Sequence, residues 1–230
     1  KVKLPKMNLC PDYRNFSFSK LKTPEFKHVL LLLYWPVYGL FFLYFERIRV
    51  CEYHTVTSFL DKFIPFVPVF IIPYFFWFVY LIGMLLYTFF CDIPAFKKYM
   101  WYIIITYSAT IIIYFIYPTK QELRPVIPAD AGAFARVVSG LYAFDTNTNV
   151  CPSIHVLGSM AVFFASLECE KFKKPPVKLV FLVLCVLISV STVFLKQHSA
   201  TDIFAAVILG LVCYPLVFCD NKMSRKLMDI

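Results

Sequence analysis

The chain has 230 residues, 60% of them hydrophobic and 19% aromatic, with mean hydropathy +0.70 and a formal net charge of +9. That apolar excess excludes an ordinary soluble domain, and no polar stretch is long enough for a core of its own. The composition predicts an all-α polytopic membrane protein, a single bundle, because only helices and closed barrels satisfy their backbone groups in lipid.

Six uncharged runs give the predicted elements in chain order: residues 29–45, 63–91, 99–119, 150–167, 179–195 and 203–219. At about 1.5 Å per residue, a run of roughly 17 covers about 26 Å of a hydrocarbon layer about 30 Å thick. The predicted organisation is a cytoplasmic segment 1–28, a six-span membrane domain 29–220 and a cytoplasmic tail 221–230. The first run follows a long charged segment and precedes no small-residue cleavage site, so it is expected to be a span and not a signal peptide. Pro65, Pro68 and Pro73 interrupt the second run, whose first part is expected at the interface or in a distorted turn.

Lys and Arg set the orientation. Sixteen fall in the two tails and the turns at 97–98 and 171–178, against seven in the other loops. Both termini are therefore expected in the cytoplasm. The net charge reports this topology and attraction to anionic headgroups, and no nucleic-acid partner is expected. Cys10, Cys91, Cys169, Cys185, Cys213 and Cys219 fall on or near the cytoplasmic side and are expected unbonded; a bond between Cys51 and Cys151 is left open.

The few polar residues tied to these runs carry the functional reading. Arg124 follows the third run, His155 opens the fourth, and His198 lies between the fifth and sixth. An even number of crossings separates them, so all three are expected on the extracytoplasmic face. Ser153 and His155 are expected just inside a helix start, with Pro152 in its first turn, so free N–H groups and the dipole's positive end favour an anion there. Ser153 is equally readable as an ordinary cap. Arg124 can add a bidentate fork to phosphate or carboxylate, and Lys120 and Lys196 are further cations that also suit a plain interface.

His198 and Asp202 are four apart, so a carboxylate one turn away can hold the imidazole in one tautomer. The pair suits a nucleophile toward phosphorus, with His155 as acid to the leaving alkoxide. No metal or cofactor is called for. A metal site of His155, His198 and Asp202 would be opposed by the neighbouring cations. A lipid or anion carrier using the same positive pocket is the non-enzymatic alternative.

Leu123-Arg124-Pro125, Pro152-Ser153-Ile154-His155 and Ser191-x6-His198-x3-Asp202 resemble, in order and spacing, the three signature motifs of the type 2 phosphatidic acid phosphatase superfamily. The resemblance implies a six-span fold, His198 as phosphohistidine-forming nucleophile with Asp202 as partner, His155 as general acid, and Arg124 and Ser153 on the phosphate. Tyr117 stands where that family has a lysine, and Ser191-Thr192 where it has Ser-Arg, a gap that Lys196 might fill. These departures, with the run from Val150 to His155, look closer to the branch of inositol phosphorylceramide synthases, which transfer to a lipid hydroxyl. The expected activity is hydrolysis of a lipid phosphate monoester or diphosphate, with phosphotransfer as the alternative, in a bacterial plasma membrane with the site facing outward.

Trp35, Trp77 and Trp101 are expected in the interface belt and in lipid-facing packing, not in a cofactor box, and Gly83, Gly158 and Gly210 at close helix contacts. Phe134, Val137-Val138 and Leu141-Tyr142 make a short amphipathic pattern, readable as a cover over the site or as a linker. The stretch 49–63, with Asp61-Lys62, has the same two readings.

Overall fold

The computed structural model describes residues 11–229, so the expectations for Lys1, Lys3, Lys6 and Cys10 lie outside the described residues. About 71% of it is helical. Five helical stretches are long and apolar enough to cross a membrane: Lys27–Ile48, Pro68–Cys91, Ile93–Ile116, Pro175–Phe194 and Ala200–Phe218. The regular α-helices within and between them are α1 (Tyr34–Leu43), α2 (Ile71–Cys91), α3 (Ile93–Ile116), α4 (Ala133–Phe144), α5 (Ile154–Glu168), α6 (Pro175–Phe194), α7 (Ala200–Phe218) and the short α8 (Lys222–Met228).

Prolines and polar caps set the boundaries. Residues 63–67 carry no helix, and Pro68 opens a 3-10 turn into α2, the distorted entry expected from the proline cluster. Asp92 divides α2 from α3: its Oδ1 accepts from the N–H of Ala95, and Pro94 follows in the first turn. At the other end of α3, Pro118 pushes Tyr117 out of the helical region, and the helix stops at Ile116.

The fourth expected span differs most from expectation. Helix α5 has 15 residues, about 22 Å at the standard rise. Ten of them are buried, because α2, α3, α6 and α7 surround it. With protein on every side, α5 needs neither the length nor the lipid-facing stripe of a peripheral span. Close packing depends on Gly158, where a Cβ would come within 2.6 Å of the Tyr107 hydroxyl, and on Gly210, where it would meet Met160 and Tyr102 at 2.6 Å. Gly83 corrects the expectation made for it, since a Cβ there would meet nothing within 4 Å.

At the end of the bundle where α3 stops and α5 and α7 start, the loops are stitched into one platform. Strand β1 (His54–Thr55) runs parallel to β2 (Thr119–Lys120), bringing the first loop against the segment that leads to Arg124. The Thr119 hydroxyl accepts from the N–H groups of Val150 and Cys151. Buried Gln121 donates to the carbonyl of Lys196, and its own carbonyl accepts from Asn147. The amphipathic pattern is α4, with Val138 and Leu141 packed on Ile71, Tyr74 and Leu195 and with Phe134 and Val137 left exposed.

Candidate active site

Two helix starts meet beneath this platform. Helix α7 begins with a set of bonds around two buried carboxylates. Asp202 Oδ2 accepts from the Ser199 N–H at 3.0 Å and binds His198 Nδ1 at 3.1 Å. Asp61 reaches in from the first loop, accepting from the Ser199 hydroxyl at 2.6 Å, the Ala200 N–H at 2.8 Å and the Ser58 N–H at 2.7 Å. His198 precedes the cap residue Ser199, so it is not on α7 as the four-residue spacing suggested. The pairing survives because the carboxylate of Asp202 folds back over the helix start, as in a capping box. An ionised carboxylate only accepts, so Nδ1 carries the proton and Nε2 presents its lone pair.

Helix α5 begins differently. Ser153 is its cap residue and Pro152 lies before it, which corrects the expectation that both sit inside the first turn. The Ser153 hydroxyl is fully buried, makes no capping bond and has no partner. His155 is wedged between Tyr74 and Trp77, with ring centroids 4.6 and 4.5 Å away, and its Nδ1 is also unpartnered. Its ring lies 5.8 Å from that of His198. Trp77 thus belongs to the site wall and is 7% exposed, not in an interface belt.

A cavity of about 50 Å³ opens on both histidines, with Gln197, Asn149, Asp145, Glu46 and Tyr114 among its other walls. Ser153, Asp202 and Arg124 stand one layer behind. Arg124 donates to the carbonyls of Tyr142 and Thr146 and to Gln197 Oε1, and its guanidinium stacks 4.5 Å from the Tyr142 ring. Burial pulls its pKa below the usual guanidinium range, opposed first by Asp145. A desolvated guanidinium needs acceptors. Here carbonyls supply them for the two terminal nitrogens, Nε stays unpartnered, and Gln197 stands between Arg124 and the cavity.

The two lysines lie elsewhere. Lys120 pairs with Glu122 at 2.6 Å near the surface. Lys196, with φ 53°, donates to the carbonyls of Asp61 and Ile64 and braces the first loop against α7. Neither lines the cavity. Cys51 and Cys151 are both free thiols, and burial next to Asp202 pushes the Cys151 thiol up to about 12.

Sequence reading missed Gln197, Asn149, Glu46 and Asp145, and it named Asp61 only within a stretch readable as a cover over the site or as a linker. Gln197 adjoins His198, and Asn149 and Asp145 lie within ten residues before His155, so proximity to the motifs was a usable signal. Asp61 and Glu46 come from loops and helices far away in sequence and carried no such signal.

Long apolar helices and a two-histidine, carboxylate-braced site at one end of their bundle define an integral membrane protein with a cavity lined by buried polar groups. The chain belongs to the PAP2 superfamily, which matches residues 98–226 and so includes Arg124, Ser153, His155, His198 and Asp202. Members of that superfamily are typically phosphatases or phosphotransferases. No curated protein and no solved structure matches the chain.

Proposed function

We propose that the chain is a membrane enzyme that cleaves a lipid phosphate ester through a phosphohistidine at His198. The bond from His198 Nδ1 to Asp202, with the His155 ring 5.8 Å from that of His198 on the same cavity, carries this reading. Asp202 fixes the tautomer and stabilises the imidazolium form, leaving Nε2 to attack phosphorus. As the new P–N bond forms, the ester P–O bond breaks and His155 gives a proton to the departing alkoxide. Water then attacks the phosphohistidine, returning His198 and releasing phosphate.

Arg124, behind Gln197, and the α5 start at Ser153 supply positive potential around the phosphoryl oxygens, which is most of what this transfer asks of a protein. Water as acceptor makes the activity a lipid phosphatase; a lipid hydroxyl would make it a phosphotransferase, as in the branch that the run from Val150 to His155 resembles. The Lys and Arg asymmetry supports a site on the extracytoplasmic face of a plasma membrane, within reach of headgroups.

The test is to trap the intermediate. Purified protein incubated with ³²P-phosphatidate and quenched in alkali should carry an acid-labile label that His198→Ala abolishes. If the wild type neither labels nor releases phosphate from any phospholipid offered, the enzyme reading fails and the carrier reading takes its place.

A further inference from the structure

The cavity holds polar groups for which attack by His198 has no use. Asn149 is 7% exposed, yet neither Oδ1 nor Nδ2 of its amide has a partner. Gln197 is 3% exposed; its Oε1 is taken by Arg124 and its Nε2 is unpartnered. Both amides line the same cavity as the carboxyls of Glu46 and Asp145. Those carboxyls are anchored, Glu46 by the Thr146 N–H at 3.0 Å and Asp145 by the Tyr74 hydroxyl at 3.2 Å. The Asn149 backbone is held in the left-handed region at φ 52°, with its N–H on the Thr119 carbonyl, so its Cα is fixed at the cavity wall.

The donor and acceptor inventory discriminates among ligands. A phosphate oxygen only accepts: it would suit the two amide NH₂ groups and be repelled by Glu46 and Asp145. An ammonium only donates: it would suit the carboxyls and Asn149 Oδ1 and leave both NH₂ groups buried and unpaired. A hydroxyl does both, accepting from an amide while donating to a carboxyl. Two unpaired amides beside two carboxyls suit more than one such group.

We propose that this half of the cavity is a hydroxyl subsite, with Asn149 and Gln197 donating to alcohol oxygens and Asp145 and Glu46 accepting from them. It rests on His198 being the nucleophile. The hydroxyls belong either to the substrate's own headgroup or to a separate alcohol that replaces water as acceptor. In the second case the alcohol oxygen forms a new bond to phosphorus, the P–N bond breaks with its electron pair returning to His198 Nε2, and the alcohol proton passes to His155. Atoms and charge balance without a further reactant.

Two comparisons on the full-length protein in mixed micelles test this. With ³²P-phosphatidate as donor, added glycerol should yield glycerophosphate beside free phosphate. Alternatively, phosphatidylglycerol should be cleaved with at least tenfold higher kcat/KM than phosphatidylpropanol, which has the same size without the hydroxyls. The first result identifies an acceptor alcohol and the second a headgroup. In either case Asn149→Gly, tolerated at positive φ, should lower the product ratio or the preference at least tenfold. Asn149→Asp keeps the shape and removes the donor, and it gives the same reading should the glycine variant fail to fold. No glycerophosphate together with no preference overturns the subsite, as does a preference indifferent to both variants. If His198 still labels in that case, only the subsite is lost; if it never labels and nothing turns over, the subsite falls together with the enzyme reading.

Discussion

The starts of α5 and α7 are each capped by a serine with a histidine one or two residues away, and they are built in opposite ways. At α7 the serine is fully engaged: Ser199 bonds Asp61, its N–H bonds Asp202 Oδ2, and that oxygen holds His198, leaving only Asp202 Oδ1 without a partner. At α5 the Ser153 hydroxyl and His155 Nδ1 are buried without partners. A closed start is a fixed mount, while an open start keeps its hydrogen-bonding capacity for something that enters. Unsatisfied buried polar groups cost stability, so an unpartnered hydroxyl and an unpartnered imidazole nitrogen together at the α5 start mark where a ligand is received.

The largest expected effect comes from breaking the mount. Asp202→Asn keeps an acceptor for Ser199 and loses the charge that supports the imidazolium, so turnover should fall about a thousandfold or more, by analogy with other carboxylate–histidine pairs. Initial-rate assays decide it, and a loss under tenfold would remove Asp202 from the chemistry.

The same substitution at the two serines sharpens the contrast. Ser153→Ala deletes a hydroxyl that bonds nothing, so thermal stability should hold or rise while turnover drops at least tenfold. Ser199→Ala removes two bonds and should cost about 1–2 kcal/mol of stability, with a smaller loss of rate. Melting curves in detergent run beside rate assays would separate them, and the idea of an open and a closed start is wrong if the two variants behave alike.

The smallest effect belongs to Lys120→Ala. Its exposed pair with Glu122 is worth less than about 1 kcal/mol, and it does not line the cavity, so rate and melting point should stay within error. A tenfold loss of rate would restore Lys120 to the phosphate site.

Much of this was legible in one dimension. Hydrophobic runs located the five long helices, with some ends five or six residues away, because burying backbone in lipid demands long apolar stretches. The 15-residue α5 was read as a longer span, since hydropathy reports how apolar a segment is and not whether lipid or protein surrounds it. The motif residues His155, His198 and Asp202 were found by type and spacing. Their supports were not, because Asp61 approaches Ser199 across 138 residues of chain and Arg124 meets Gln197 across 73.

The sequence by itself determined a membrane bundle and the family motifs, since each follows from local composition and spacing. Only the tertiary structure decided that Arg124 faces carbonyls and Gln197, that Lys120 and Lys196 point away, and that Glu46, Asp145 and Asn149 complete the chamber. The reason is physical: a buried charge or amide takes whatever partner packing brings within 3 Å or so, and packing joins residues far apart in the chain.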